Sequence, residues 1–257
     1  MIGKTWMPVH SRQGIVDLVE YYKRFASDRA REAERRVNEL KAHLGTFWPQ
    51  FKDSCAAYAE RERTEAPRFN LVRLLELERL ESHHSRILAD LLDPRGTHGQ
   101  GALFLERFLD LIGLSHIKAK VASPAAHVEV TPEERITAES RPDIVVRCVP
   151  WFVLVIENKI QSGEGQSDGT WQLEKYCNWL RDQTAEEKRL LFLTIHGEKS
   201  SSGAESLLIS YTRHIHGWLE ECLNRVTAPS VQHTLLQYLE TIENLRNLKR
   251  ETADGSE

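Results

Sequence analysis

Apolar residues recur in steps of three and four along the first part of the chain, at Ile15, Val19, Tyr22, Ala26, Ala30, Ala33, Val37, Leu40 and Leu44. The opposite face is charged, through Arg29, Arg31, Glu32, Arg35 and Arg36. This period predicts one long amphipathic helix over residues 12–48, ended by Pro49, and a short second helix over 51–65, ended by Pro67. Such a stripe has two readings: packing within the chain, on its own domain or on the C-terminal helix, or a coiled-coil arm that meets another chain. Alanines at the seam suit both, and intramolecular packing is the expectation adopted.

Asn70 is an N-cap residue type and opens the next helical segment, with a bend near Leu77 to Arg79. In the helix from Leu80 to Leu92, residues Glu81, His84, Ser85 and Leu88 share one face. An acid, a histidine and a serine beside leucines are costly to bury unless partnered. The alternative is a polar patch at the helix start, or a cap built by Ser82. A turn-rich loop to Gly101, a helix from Ala102 to Ile112, an irregular stretch over 115–126 and a short strand at Val128–Val130 follow.

Ile144–Val146 and Phe152–Ile156 are short and rich in β-branched residues, and they predict an antiparallel hairpin turning near Pro150. The second run is apolar on both faces, as a central strand is. Residues 162–170 read as a flexible glycine-rich loop and 171–183 as a helix. Arg189–Ile195 and Leu207–Tyr211 read as strands, with Glu186–Lys188 taken as a charged helical stretch before them. Helices over Trp218–Val226 and Val231–Lys249 and a disordered tail over 251–257 complete the chain. The predicted fold class is α/β: a small mixed central sheet of four or five strands flanked by helices, with a long N-terminal helical arm over 1–68 and the sheet domain over 69–250.

The chemistry concentrates between Arg141 and Trp179. Glu157 and Lys159 are two apart on a strand and point to one face, with the Asn158 carbonyl between them. Asp143, after Pro142, opens the partner strand, and pairing the strands brings the two carboxylates together. Carboxylates that close repel unless a divalent cation sits between them, and hard oxygen donors without thiolates suit Mg²⁺ or Mn²⁺. A lysine beside such a cation can orient water or stabilise charge on phosphorus, which is what phosphodiester hydrolysis needs. An acid-x-Lys triplet alone carries little weight, since the alternative is a solvent-facing ion pair. The weight lies in its buried strand and its Pro-Asp partner. Gln172 and Tyr176 are one turn apart on the helix that follows.

These motifs, Pro142-Asp143, Glu157-x-Lys159 and Gln172-x-x-x-Tyr176, resemble the PD-(D/E)XK nuclease superfamily in its RecB-like form. Phe69-Asn70, Glu81-x-x-His84-Ser85-x-x-Leu88, Leu91–Pro94, His98-Gly99 and Ile209–Tyr211 resemble a bacterial branch of it. The resemblance covers about 69–245. It implies a restriction-endonuclease-like fold, with Asp143, Glu157, the Asn158 carbonyl and Glu81 as metal ligands and Lys159 as the catalytic lysine. It makes Gln172 and Tyr176 both catalytic and substrate-binding candidates, and adds His84 and Ser85 to the substrate-binding set. The implied activity is Mg²⁺- or Mn²⁺-dependent hydrolysis of DNA, with defence against foreign DNA as its setting; RNA as the substrate is a third, weaker reading.

Composition changes this little. With 257 residues, 40% hydrophobic and 28% charged, the chain suits a soluble globular protein. No run is long enough to span a bilayer, the longest, Trp151–Ile156, being strand-length. Met1–Trp6 lacks the apolar core of a secretory signal. Cys55, Cys148, Cys177 and Cys222 form no CxxC pair and read as buried reduced thiols. These features predict a cytoplasmic protein. The net charge of −4 does not point to nucleic acid by itself, nor does it exclude it, because bound cations offset an acidic site. His214-x-His216 lacks a third ligand at zinc spacing. The rival reading is a non-catalytic nucleic-acid-binding or adaptor subunit, with the N-terminal helix joining a partner protein or a second copy.

Overall fold

Eight residues in the middle of the chain, Phe152–Lys159, form the strand on which the sheet is built, and seven of them are buried. A strand apolar on both sides can be satisfied only between two layers, and the computed structural model of the protein shows such an arrangement. It describes residues 12–66, 68–123, 125–138 and 140–253, the last seven by their backbone alone. The chain divides into two units, 1–69 and 70–257.

The first unit is the helix α1, Arg12–Glu65, which runs without a break through Pro49. The predicted stop at Pro49 and the separate helix after it are therefore corrected to one helix. Proline removes one i→i−4 hydrogen bond and crowds the carbonyl four residues back, here that of Gly45. None of the residues of α1 is buried. The seam assigned to packing within the chain is exposed instead: Val37, Leu40, Leu44, Phe47 and Phe51 are each about half accessible.

The second unit begins at Asn70, whose side chain accepts from the Val72 and Arg73 amides and caps the single turn α2, Leu71–Leu74. A 3₁₀ turn over Leu77–Arg79 makes the predicted bend before α3, Glu81–Leu92. Then come α4, Leu103–Leu111, and the short α5, Lys118–Val121, in the stretch read as irregular. The strands are β1, Glu129–Pro132; β2, Ile144–Cys148; and β3, Phe152–Lys159. A two-residue ribbon follows, β4, Gln166–Ser167, and β5, Thr170–Trp171. After it come α6, Gln172–Arg181; β6, Glu187–Thr194; and β7, Leu207–Ser210. A π-helical turn over Tyr211–Ile215 leads into α7, His216–Leu223, and α8, Pro229–Ala253, closes the unit. The helix reaches 253, past the predicted start of a disordered tail. Residues 254–257 of that tail, and the N-terminal segment read for a signal, lie outside the described residues.

The five-stranded sheet has the order β1-β2-β3-β6-β7, antiparallel across β1, β2 and β3 and parallel across β3, β6 and β7. This is the mixed, helix-flanked sheet that the pattern predicts. Glu187 and Lys188, read as helical, are instead the first residues of β6, opposite Phe152 and Val153. Alternation along β2 and β3 splits the core. Ile144, Val146, Phe152, Leu154 and Ile156 face the larger apolar cluster that holds residues of α3, α4, α7 and α8. Val145, Val153 and Val155 face Leu173, Tyr176 and Leu180 of α6.

Candidate active site

The same alternation decides where the charged end of β3 points. Glu157 and Lys159 continue the Val153–Val155 series, so they lie on the α6 face. Asn158 continues the Leu154–Ile156 series and lies on the face of α3 and α8. Ile144 pairs with Ile156, so Asp143, one residue before β2, stands opposite Glu157. Its Oδ2 accepts the Asn158 amide at 2.7 Å, which ties the head of β2 to the end of β3. Lys159 Nζ is 2.6 Å from Glu157 Oε1.

Glu157 is 1% exposed, and its second oxygen, Oε2, has no hydrogen-bond partner. Burial pushes its carboxyl up to about 8; Asp143 adds to the shift and Lys159 opposes it. Asp143 is also raised, by burial, with the Asn158 amide opposing. Burial works to lower Lys159, but the acids Glu157, Asp143 and Glu81 outweigh it and hold the ammonium above its ordinary pKa. Tyr176 is buried in the same face and accepts from Gln172 Nε2 at 2.8 Å. Its hydroxyl is raised by burial and by the charge of Glu157. Gln172 also reaches the loop read as flexible: its Oε1 accepts from Gly165 N at 3.3 Å, and its own amide donates to Gly165 O at 2.9 Å. Glu164 of that loop accepts from Leu173 N and Ser202 N. The loop is thus tied to α6, and it contains the β4–β5 ribbon.

Glu81, expected as a metal ligand, accepts from backbone amides. Its Oε1 accepts from the amides of Ile160, Gln161 and Ser162 at 2.7, 3.0 and 3.1 Å and from Ser162 Oγ at 2.9 Å. Burial works to raise this carboxyl, but the backbone donors outweigh it and hold it below the usual range. Glu81 therefore clamps the chain just after Lys159, with its Oε1 as the acceptor.

His84 and Ser85, expected to contact substrate, are both buried and use their polar atoms inside the protein. His84 Nε2 is 2.8 Å from the Glu78 carbonyl, which can only accept, so Nε2 carries the proton and Nδ1 accepts from Tyr238 OH at 2.9 Å. Burial lowers its pKa to about 4, leaving the ring neutral. Ser85 Oγ donates to the Glu81 carbonyl and accepts from Asn158 Nδ2 at 3.0 Å. Asn158 Nδ2 also donates to the Glu81 carbonyl, and Tyr211 OH donates to Asn158 Oδ1 at 3.0 Å. Tyr211 packs edge-on against His84, with centroids 5.4 Å apart. Tyr211 and Tyr238 are the residues to which sequence reasoning gave no role. The one signal was a tyrosine closing an apolar strand.

Two shallow hollows lie beside Lys159 and Tyr176. One, about 250 Å³, is lined by Arg141, Gln172, Lys175 and Tyr176. The other, about 210 Å³, is lined by Lys159, Ser162, Thr194 and Lys199. A larger hollow, about 980 Å³, lies between α6, β6 and β7 and contains none of the predicted site residues. His214 and His216 do not converge: the first bonds Ser210, the second Glu220 and Glu243. Cys148 and Cys222 are buried thiols as expected, whereas Cys55 is exposed.

A divalent cation fits the donors only as a carboxylate pair. Among the described residues no three His, Cys, Asp or Glu side chains gather as a ready ligand set. The orphaned Oε2 of Glu157, Asp143 opposite it, and the Asn158 carbonyl between are hard oxygens. The first of them is left without a partner in the core, where an unpaired polar atom is costly.

A family model described as PD-(D/E)XK nuclease superfamily matches residues 69–240. No curated protein and no solved structure matches the chain. Members of that superfamily are nucleases that generally use divalent metal ions. The match takes in the whole of the arrangement just described, and the chain belongs to the PD-(D/E)XK nuclease superfamily.

Proposed function

We propose that this protein is a metal-dependent nuclease that hydrolyses phosphodiester bonds in DNA. The observation that carries this reading is the Glu157 carboxylate, 1% exposed, with one oxygen on Lys159 and the other unpartnered, facing Asp143 across the strand pair. A buried acid pair of this kind is costly to keep unless something cationic binds there. Asp143, Glu157 and the Asn158 carbonyl are the atoms that would hold a Mg²⁺ or Mn²⁺ ion. Such an ion supplies Lewis-acid neutralisation of charge on the phosphate.

The chain's own residues do the rest. Lys159 keeps its proton and presents an ammonium to the reacting phosphate or to the attacking water. Gln172 holds the Tyr176 hydroxyl in the same face. Glu81 fixes the backbone after Lys159, so that the lysine leaves the strand in one direction. Arg141 and Lys175 give the first hollow the sign of charge that a nucleic-acid backbone needs, whereas in the second Lys159 and Lys199 are balanced by Glu164 and Glu198. The setting proposed by family analogy is defence against foreign DNA inside the cell.

The test is cleavage of single- and double-stranded DNA, and of RNA, with Mg²⁺ or Mn²⁺, by the full chain and by Lys159→Ala. DNA cleavage that Lys159→Ala abolishes supports the reading. Preferential cleavage of RNA moves the substrate to RNA. Failure of the full chain to cut any of these overturns the reading.

A further inference from the structure

The helix α1 carries an apolar seam, and none of its described residues is buried. With Ala30 taken as position a of a heptad, every a and d position from Val16 to Tyr58 is apolar except Lys23 and Ser54. Around the described part of the helix the polar face looks after itself. Glu32, at c, binds Arg35 and Arg36 at 2.8 and 2.9 Å, and Arg35, at f, binds Glu39 at 2.7 Å. Pro49 also falls at f, so its ring points away from the seam. The seam is left in water over a length that few monomers leave uncovered, with Leu18, Tyr21, Phe25 and Trp48 exposed beside it.

We infer that α1 pairs with α1 of a second copy, antiparallel, with the two-fold axis between Asn38 and Glu39. Three independent features of the seam meet in this one register. The first is the pair of polar exceptions: Lys23 falls opposite Ser54 of the second copy, so neither faces an apolar layer. The second is size. The seam is small in its first half and bulky in its second, and the register sets Ala26 against Phe51, Ala30 against Phe47 and Val37 against Leu40. The third is charge: in an antiparallel pair e positions meet e positions, and Glu34 meets Lys41 on both sides of the axis.

Parallel pairing fails on the first two counts and gains nothing on the third, where the attraction of Arg29, at g, for Glu34, at e, is offset by a like-charge pair. It sets Lys23 against Lys23, faces alanine layers with alanines and crowds Phe47 and Phe51 against themselves. It also places Arg36, at g, beside Lys41, at e. The interface is isologous, so it closes at two copies and each particle carries two copies of the sheet unit. The inference does not depend on the nuclease reading, and its test makes no use of activity.

The experiment uses the full chain with Cys55→Ser to remove the exposed thiol. The expected mass in solution, by light scattering or sedimentation, is twice the 29.6 kDa of one chain. In this background Ala30→Cys and Phe47→Cys are made as two separate proteins. Within the proposed pair Ala30 lies roughly 25 Å along the axis from its own counterpart but faces Phe47 of the other copy. Under mild oxidation, neither protein alone forms a covalent dimer. The mixture does, through a 30–47 disulfide identified by mass spectrometry. Val37→Asp, at the central layer, halves the mass while the far-ultraviolet spectrum of the sheet unit is kept. A monomeric parent chain overturns the proposal. So does self-linking of the Ala30→Cys protein, which would mean parallel strands. A dimer that gives no 30–47 link in the mixture overturns it as well, because the copies then meet elsewhere.

Discussion

One region of this protein leaves apolar side chains in water; the other buries charged ones. On α1, Leu40, Leu44, Phe47 and Trp48 are each more than half exposed, and no residue of the helix is buried. At the end of β3, Glu157 and Asn158 are at most 1% exposed, and a carboxylate oxygen there lacks any partner. Both arrangements cost free energy in the isolated chain, but in opposite ways. Exposed apolar area is unfavourable in proportion to its size and is relieved by any complementary surface. A buried unpaired carboxylate is relieved only by a proton or a cation at that point. The first is therefore a mark of assembly and the second a mark of chemistry. That contrast can be broken experimentally at either end.

The largest effect is expected at the carboxylate. Glu157→Ala and Lys159→Ala each lower the rate of phosphodiester cleavage by about 10³-fold or more, because the first removes a proposed ligand of the metal ion and the second the ammonium proposed to act on the reacting phosphate. Single-turnover cleavage at saturating metal measures it. A loss of less than tenfold in both variants would make the buried charges structural and dissolve the contrast.

Acid stability comes next. The pKa of His84 falls to about 4 in the folded protein, against an ordinary value near 6.5. Between those values the unfolded chain binds a proton that the native ring does not. The contribution of His84 is therefore complete above pH 6.5 and is lost as pH falls towards 4, by roughly 3 kcal/mol. Glu157 works in the opposite sense, since its raised pKa favours the native state as pH falls from about 8. The comparison that isolates the histidine is wild type against His84→Gln, by urea unfolding at pH 7.5 and 4.5. Wild type should lose its advantage at the lower pH; an advantage independent of pH would show that the ring is not held neutral.

A smaller effect belongs to the far side of the strand. Tyr211→Phe removes the donor to Asn158 Oδ1 and leaves a buried acceptor unpaired, for about 1–2 kcal/mol of stability. If the buried amide also positions the Asn158 carbonyl, cleavage falls about tenfold and the Mn²⁺ needed for half-maximal activity rises, whereas KM for DNA does not. Lost stability with unchanged metal dependence would confine Tyr211 to packing.

These residues also show how far the sequence could be read. The register of β2 on β3 followed from two β-branched runs and the turn between them, so the opposition of Asp143 and Glu157 was visible in the order of residues. Period two put Lys159 with Glu157. What stayed hidden depended on partners far along the chain. Glu81 was recognised as an acid on the right helix, but its bonds run to amides some eighty residues later, and a backbone amide leaves no trace in a residue's name. Tyr211 and Tyr238 meet Asn158 and His84 across separations of 53 and 154 residues. Glu187 and Lys188 were misread because a charged run resembles a helix surface. Here it is the half-exposed start of a parallel strand, where local composition yields to pairing with Phe152 and Val153. Pro49 was taken as a stop because a proline costs a helix about 3 kcal/mol. A long flanking helix on both sides tolerated that cost.

The smallest effect tests the other end of the comparison. Leu44 lies at an a position of α1 and is 52% exposed. A buried leucine replaced by aspartate loses its packing and strands a charge, and several kcal/mol go with it. At Leu44 neither penalty applies to the fold of the sheet unit. Leu44→Asp should therefore leave the hydrogen-exchange protection of β2 and β3 amides within about 0.5 kcal/mol of wild type. The rate of cleavage per chain should likewise be unchanged. What it should remove is self-association, since the variant sets a carboxylate against Ala33 of a second copy. If instead β3 loses several kcal/mol of protection, the seam of α1 belongs to the core of its own chain. The exposed apolar face and the buried charge would then no longer mark two different functions.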